Sequence, residues 1–302
     1  MSSDRVKCLQ RVVLAVGVGM LASALVAGAS AGAEDRGRPP AGHPPAAIPG
    51  PSPVPKTDAD LTGKDIYRRV LENRFDSYIQ SSSLVSGDRG GNTQETRLNM
   101  TFRSFRDEND EPSDGSTLSK AIVYYTYPFD IRHSGYLVIN NLDRPNDQFV
   151  YRPSSRKVRR VNLRGEAVFG TDFSFEDVIP RELEDADYAR KADEIVDGAP
   201  VFVVEAIPRP ETDSEYSRLL IYVEKERSVP LRTRYWDDRG VEIKQLQVER
   251  PRIERIANVW VPMRATMRHL RLDSFTVLDI AELTPNPALS RTTFDLRRLE
   301  GH

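Results

Sequence analysis

Four basic side chains stand within five positions near the middle of the chain. They are Arg156, Lys157, Arg159 and Arg160. On an extended strand they would project from both faces, because successive side chains alternate. Such a run can dock an anionic lipid headgroup, an anionic membrane or an acidic partner. The structural alternative is an edge strand, whose charges prevent pairing with another sheet. The residues alone leave both interpretations open.

An aromatic and acidic segment follows this run and ends at Pro180. Ser174 and Asp177 have the spacing of a capping box, and Pro180 would end a helix that begins there. The sequence therefore predicts a short lid helix. The side chains that we expect to seat this helix on a sheet are Phe169, Phe173 and Phe175.

Residues for catalysis or metal binding form no known motif. Three carboxylates of the same segment are candidate calcium ligands: Asp172, Glu176 and Asp177. The segment lacks the alternating oxygen ligands of a calcium-binding loop, so no metal is expected. The four histidines are His43, His133, His269 and His302. They lack the HExxH spacing, no Gly-x-Ser-x-Gly elbow occurs, and carboxylates on solvated strands do not single out a catalytic pair. We predict no enzyme activity.

Residues 1–33 have the features of an export signal. A positive start contains Arg5, Lys7 and Arg11, an apolar run covers 12–28, and Ala31 and Ala33 form the small pair that signal peptidases accept. We predict cleavage before Glu34 and a periplasmic location. An uncleaved inner-membrane anchor is the alternative, although the run is near the lower limit for spanning a bilayer.

Composition excludes further classes. Cys8 is the only cysteine and would leave with the signal, so no disulfide or thiol chemistry is expected. Removing residues 1–33 leaves 40 Lys+Arg against 44 Asp+Glu, which gives no basic field for nucleic acid. No glycine-rich strand-to-helix turn is present, which argues against a dinucleotide cofactor, and no cofactor is predicted.

The rest of the chain divides into a linker and one domain. Residues 34–57 form a Pro/Gly/Ala-rich linker, and 58–302 a β domain. The domain opens with a helix, because Thr62 and Asp65 make a capping box and Leu61 can staple onto Ile66. Strand candidates with a period of two follow at 98–105, 121–127, 135–140, 148–151, 157–161, 188–195, 201–207, 218–224, 231–237, 242–255, 259–271 and 275–283.

Twelve strands with short connections predict a mainly β fold with one large, curved antiparallel sheet. One helix cannot cover its apolar face, so the sheet either fills its own interior or leaves an apolar hollow for an acyl chain. The candidate lining residues are Met100, Phe102, Val123, Tyr125, Leu137, Ile139, Leu219, Ile221, Leu231 and Tyr235. A register error of one residue would place any of them on the other face.

The order of motifs resembles a known family. Asp147-Gln-Phe-x-Tyr-x-Pro153, Arg156-Lys-x-Arg-Arg160 and Gly170-Thr-Asp-Phe-Ser-Phe-Glu-Asp177 are similar to the outer-membrane lipoprotein-sorting-protein-like family, which is similar to the LolA/LolB periplasmic carriers. The resemblance continues through Tyr235-Trp-Asp237 and Trp260-Val-Pro262. It implies a half-open barrel whose apolar cavity is lidded by a helix and loops. The motif residues Asp172, Phe173, Ser174, Glu176 and Asp177, with the basic run, are the candidate docking positions.

The resemblance also implies a function. We expect a periplasmic carrier that moves a lipid or lipoprotein between envelope membranes, with an RND/MMPL-type exporter as partner and transient contact with an anionic membrane. The alternative is a sensor or protein-interaction module that uses the same barrel without transport.

Overall fold

The computed structural model describes residues 57–107, 111–163, 165–178 and 181–300. The predicted signal peptide, its anchor alternative and the linker up to residue 56 lie outside the described residues. The boundaries of signal, linker and domain therefore stay predictions.

The first helix begins where the capping box predicts it. Helix α1 covers Gly63–Glu72, and the hydroxyl of Thr62 accepts a hydrogen bond from the Asp65 amide at 3.1 Å. In return the Asp65 carboxylate accepts the Thr62 amide at 3.0 Å. Ile66 is fully buried and Leu61 nearly so, in the same apolar cluster. This capping and staple explain why the helix starts at this point.

Sixteen strands make up about half of the described residues. They are β1 (Ser77–Gly87), β2 (Thr93–Ser104), β3 (Thr117–Tyr127), β4 (Gly135–Asn141), β5 (Asp147–Arg152), β6 (Lys157–Val161), β7 (Ala186–Arg190), β8 (Glu194–Val196), β9 (Ala199–Pro208), β10 (Arg218–Glu224), β11 (Pro230–Trp236), β12 (Glu242–Val248), β13 (Ile253–Ile256), β14 (Val259–Pro262), β15 (Arg264–His269) and β16 (Ser274–Pro285). A short helix, α2 (Leu296–Glu300), follows the last strand.

Fourteen of these strands form one antiparallel sheet. Its order is β6-β5-β4-β3-β2-β1-β16-β15-β12-β11-β10-β9-β7, with β8 paired to β9, and β13 and β14 form a separate hairpin. Two meanders meet where β1 pairs with β16, from Tyr78 opposite Pro285 to Gly87 opposite Phe275. The sheet is not closed, since β6 and β7 stand at its two ends. The predicted mainly β, half-open antiparallel fold is confirmed.

Three local predictions need correction. Strand β1 was missed, because its serines at 77, 81, 82, 83 and 86 hide the alternation of apolar and polar residues. The predicted strand 242–255 is interrupted by a 3₁₀ turn at Arg250–Arg252, where Pro251 has no amide hydrogen to donate to a ladder. The predicted lid helix is also wrong over its described part, since Ser174 forms an isolated β-bridge with Ala167 and residues 175–178 form turns.

Candidate functional site

One face of the large sheet carries a continuous apolar cluster, and we call it the covered face. It is built by alternating side chains of neighbouring strands, such as Phe102 on β2, Val123 on β3 and Ile221 on β10, which are at most 4% exposed. Because β2 and β10 belong to different meanders, this cluster joins the two halves of the sheet.

Helix α1 covers the part of this face that lies beside β7 and β9. The ring of Tyr67 stacks on the ring of Tyr188, with centroids 4.4 Å apart. Gly63 permits this approach, since a Cβ atom there would lie 2.7 Å from the backbone carbon of Ala189. The helix is therefore seated closely on the sheet edge.

An irregular segment covers the rest of the face. We call it the strap: its described residues are 163, 165–178 and 181–182, between β6 and the 3₁₀ turn at Leu183–Asp185 that precedes β7. Phe169 packs edge-on against Tyr125, with centroids 4.5 Å apart, and Phe175 packs against Tyr136 at 4.6 Å. Phe173 is 3% exposed. The three phenylalanines thus seat the strap on the sheet, as their spacing predicts.

A buried polar contact fixes the middle of the strap to β16. The carboxylate of Asp172 accepts hydrogen bonds from the hydroxyls of Thr276, at 2.7 Å, and Ser274. The backbone amide of Asp172 donates to the Thr276 oxygen at 2.8 Å. Asp172 and Thr276 are both buried. If the strap moved and water did not enter, both side chains would lose their hydrogen-bond partners, which is costly for buried polar groups.

A second contact fixes the next turn of the strap to β12. The Tyr216 hydroxyl donates to the carboxylate of Asp177 at 2.9 Å and accepts from the Lys244 ammonium at 3.0 Å. Ser174 donates its amide and hydroxyl to the same carboxylate. Burial raises the pKa of Asp177, an effect that the charge of Lys244 opposes, and burial also raises the pKa of Tyr216. Asp177, Tyr216, Lys244 and Ser174 therefore satisfy one another's hydrogen-bonding groups within the protein.

The C-terminal half of the strap is held by ion pairs and hydrogen bonds of two glutamates. Glu176 accepts from Arg181 at 2.6 Å and from the Ser214 hydroxyl at 2.6 Å. Glu182, which is 1% exposed, accepts from Ser119 at 2.7 Å and from Arg106 at 3.2 Å. These contacts tie the strap to β3 in the first meander and to the β9–β10 loop in the second.

The calcium alternative has no support in this geometry. Asp172, Glu176 and Asp177 point to different partners: the hydroxyls of β16, the Arg181 guanidinium, and the Tyr216–Lys244 pair. Among the described residues, no group of three or more His, Cys, Asp or Glu side chains could hold a metal ion.

Most of the predicted lining residues lie together on the covered face. Seven of the ten belong to its cluster: Met100, Phe102, Val123, Tyr125, Leu219, Ile221 and Tyr235. They are at most 6% exposed, because α1 and the strap pack on the sheet. In this structure they form a filled core.

Leu137 and Ile139 lie on the opposite face and are a correction to the prediction. Their neighbours Tyr136 and Val138 face the covered side instead. Strand β4 is apolar on both faces, because α2 covers the opposite one with Leu299. Alternation therefore gives no guide to its orientation.

Leu231 is misplaced for a different reason. In the register of β10 and β11, Tyr222 pairs with Arg232 and Val223 with Pro230, which leaves Leu231 unpaired at an irregularity. It packs with Tyr222 and Val248 in a separate cluster that the β13–β14 hairpin covers. A bulge of this kind reverses the facing of a residue and cannot be read from alternation.

The basic run occupies an edge. Strand β6 ends the sheet order, and all four basic side chains are exposed. Only Arg160 has a carboxylate partner within the described ranges, since it pairs with Asp147. The position agrees with the edge-protection alternative, and the exposure leaves the docking interpretation open.

Sequence reasoning missed the partners that hold the strap. Tyr216, Lys244 and Thr276 are 42, 67 and 104 positions from the strap residues that they contact. The one available signal is Lys244, a charged residue that shares a strand face with the apolar Leu246.

None of the helices within the described ranges is long and apolar enough to cross a membrane.

The open antiparallel sheet with a helix and a strap on one face defines a LolA-like fold. A putative outer membrane lipoprotein-sorting protein domain from Vibrio parahaemolyticus superposes with a TM-score of 0.70 and 19% identity, covering 79% of this chain and 98% of its own. A LolA superfamily protein from Nitrosomonas europaea gives 0.62 and 18%, covering 79% and 99%. At this identity the similarity shows the fold alone.

The family follows from sequence models and a third structure. The DUF1329 model, a protein of unknown function, matches residues 35–163, and a model described as an uncharacterized protein matches 117–301. A DUF1329 family protein from Desulfovibrio piger superposes with a TM-score of 0.71 and 23% identity, covering 78% of this chain and 97% of its own. The chain belongs to the family of uncharacterized proteins whose model covers residues 117–301, and it is similar to the DUF1329 family. No curated protein shows a significant match to it.

Proposed function

We propose that the protein is a periplasmic carrier that shelters an acyl chain of a lipid or lipoprotein on the covered face of the sheet. The observation that carries this proposal is the nature of the cover. The largest apolar cluster of the fourteen-stranded sheet lies on the covered face, where a ten-residue helix and an irregular strap cover it in place of a second sheet. A cover without its own sheet or long helix can move aside at modest cost.

The energies support an exchange of the strap for a ligand. Each buried methylene contributes about 0.8 kcal/mol, so a chain of about 14 carbons contributes roughly 11 kcal/mol. Moving Phe169, Phe173 and Phe175 off the sheet costs about 5–9 kcal/mol at the same scale. An acyl chain can therefore replace the apolar contacts of the strap, while water can replace its polar contacts.

The location and partners belong to the same proposal. The predicted signal at residues 1–33 and the LolA-like fold support a periplasmic protein, in which residues 34–57 act as a linker to the β domain. The resemblance adds an RND/MMPL-type exporter as a partner. Co-purification of such an exporter with the tagged, full-length protein tests that part independently of cargo binding.

A reversible lock on the strap tests the carrier. The mature chain is expected to lack cysteine, so Asp172→Cys with Thr276→Cys introduces a single pair at a contact where the native side chains approach within 2.7 Å. A fluorescent fatty acid should bind the reduced protein at about one site and should fail to bind the oxidised protein. The matched control is Ser81→Cys with Asn99→Cys, a cross-strand pair of β1 and β2; Asn99 alternates with Leu98 and Met100 of the covered face and so lies on the opposite face from the strap.

Both oxidation states of the control should bind the probe equally. Binding that is the same in the locked and unlocked strap contradicts uptake beneath the strap. The absence of probe binding in the unmodified protein contradicts the carrier proposal itself.

A second function is favoured by one observation. Phe102 and Met267, at the centre of the covered face, are fully buried, so the face is already packed. A non-transporting sensor or protein-interaction module would keep this core permanently closed. Mass spectrometry of protein isolated from its native envelope separates the two, because a carrier should retain stoichiometric lipid or lipoprotein and a module should retain none.

A further inference from the structure

The loop between β3 and β4 holds an aromatic side chain in solvent. Phe129 is 88% exposed, although large apolar side chains are usually buried. Backbone hydrogen bonds hold this loop in place: the Arg132 amide donates to the Pro128 carbonyl, and the His133 amide donates to the Tyr125 carbonyl, both at 2.9 Å. Ile131 packs against the core of the covered face. The exposure of Phe129 is therefore a property of an ordered loop.

Basic side chains surround this loop on neighbouring elements. Gly135, where the loop enters β4, pairs with Tyr151 near the end of β5, so the β5–β6 turn lies beside the β3–β4 loop. A Cβ atom at Gly135 would lie 2.7 Å from Leu299, which places α2 next to the same point. The exposed basic residues on these neighbouring elements are Arg132, Arg152, Arg156, Lys157, Arg159, Arg297 and Arg298.

The seven basic side chains of this group form no ion pair within the described ranges. The acidic residues on the same elements are Asp130, Asp147 and Glu300, and Asp147 already pairs with Arg144 and Arg160. Basic residues therefore outnumber acidic ones on this surface, whereas other arginines have partners, such as Arg190 with Asp193 and Arg234 with Glu242. The mature chain is expected to be slightly acidic overall, so the cluster is a local feature of this surface.

We propose that this surface, Phe129 together with the seven basic residues, docks on an anionic lipid bilayer. We call it the docking patch. The partner follows from charge complementarity, since an unpaired positive cluster is attracted to acidic headgroups, and from Phe129, whose ring suits the interface between headgroups and acyl chains. Tyr127, 46% exposed at the end of β3, extends the aromatic part of the patch.

The inference goes beyond the proposed function and is independent of it, because docking concerns the outer surface and needs no cargo. It also gives the basic run of β6 a role in addition to edge protection. The strap and the covered face take no part in it, so a protein with its strap locked by the disulfide described above should dock equally well.

Vesicle co-sedimentation of the mature protein tests the patch. Vesicles of phosphatidylcholine with one third phosphatidylglycerol should bind the protein, and pure phosphatidylcholine vesicles should not. Each basic side chain at an anionic surface strengthens binding roughly five-fold, so the triple variant Arg156→Gln, Lys157→Gln, Arg159→Gln should bind on the order of 100-fold more weakly. Phe129→Ser should bind about ten-fold more weakly, and Phe129→Trp should bind normally with a fluorescence that brominated lipids quench.

The controls remove equal charge and equal apolar area at other exposed positions. They are the triple variant Arg239→Gln, Arg255→Gln, Arg268→Gln and the single variant Leu272→Ser, whose native side chain is 63% exposed. These variants should bind within two-fold of the unmodified protein, and circular dichroism should show that all variants are folded. Equal weakening by patch and control variants, or binding to an acidic protein surface without binding to the anionic vesicles, would overturn the proposal.

Discussion

The carboxylate of Asp172 in the strap accepts a hydrogen bond from the hydroxyl of Thr276 on β16 at 2.7 Å, across 104 positions of sequence. The same hydroxyl shares a 3.0 Å hydrogen bond with Ser86 on β1. The strap is therefore fixed where the two meanders meet. The buried Thr276 hydroxyl on β16 bonds to both the strap and β1.

The substitution Thr276→Val should destabilise the protein. It preserves the shape of the side chain and removes its hydroxyl, so the amide and carboxylate of Asp172 lose a partner in a buried position. Leaving buried polar groups unpaired costs about 1–3 kcal/mol. Urea denaturation should show this loss in the free energy of unfolding.

The matched control is the same substitution at Thr96, which is 1% exposed and whose hydroxyl has no hydrogen-bond partner. Thr96→Val should leave stability unchanged or raise it by up to about 1 kcal/mol, because it removes an unpaired buried hydroxyl. Equal losses for both valine variants would contradict the role assigned to the Asp172–Thr276 contact.

The pH dependence of stability should contain a contribution from Asp177. Its pKa is raised in the folded protein by burial, so the folded state favours the protonated carboxyl. The stabilisation from protonation is complete below the ordinary pKa of 3.8 and is lost as the pH rises through the higher, folded value. The unfolding free energy of the unmodified protein should therefore fall in this window relative to that of Asp177→Asn.

Urea denaturation at a series of pH values from 3.5 to neutral measures the two slopes. Because asparagine does not titrate, the difference between the slopes isolates the carboxyl from all other groups. A difference of the opposite sign would mean that Lys244 and Tyr216 stabilise the carboxylate by more than burial destabilises it.

The large sheet could be predicted because its strands alternate cleanly. Strands β6 and β10 begin and end at the predicted residues, at Lys157–Val161 and Arg218–Glu224. The face of the sheet to which a side chain points was predictable only where the other face of its strand is exposed to solvent. On β4 both sides are buried, so the choice between Tyr136 and Leu137 depends on α2, which is more than 150 residues away in sequence.

The candidate site was predictable in its apolar half. The phenylalanines of the strap could be predicted to pack on the sheet, because large apolar side chains are usually buried. The polar contacts depend on which strand ends adjacent to the strap, and that follows from the pairing of β1 with β16 and of β11 with β12. These pairings join residues that are far apart in sequence, so the local sequence does not predict them.

Export should remove the first 33 residues. Ala31 and Ala33 form the small pair that follows the apolar run, so the mature chain should begin at Glu34. Intact-mass spectrometry of the protein from the soluble envelope fraction measures this directly. Full-length protein that starts at Met1 in the membrane fraction would establish the anchored alternative, and Ala33→Asp should block cleavage if the prediction is correct.

A bulky substitution on the covered face should destabilise the closed protein. Leu219 is 4% exposed and lies in the cluster beneath α1 and the strap, so the indole of Leu219→Trp has no free volume to enter. Overpacking of this kind costs about 1–3 kcal/mol, which urea denaturation can measure.

If the carrier proposal is correct, the fluorescent fatty acid should also bind this variant more weakly, because the indole occupies the face that the acyl chain needs. Leu272→Trp on the exposed β15–β16 turn is the control and should change neither quantity. Unchanged stability with normal probe binding in Leu219→Trp would show that this part of the face is a hollow larger than the packed cluster, and would place the acyl chain elsewhere on it.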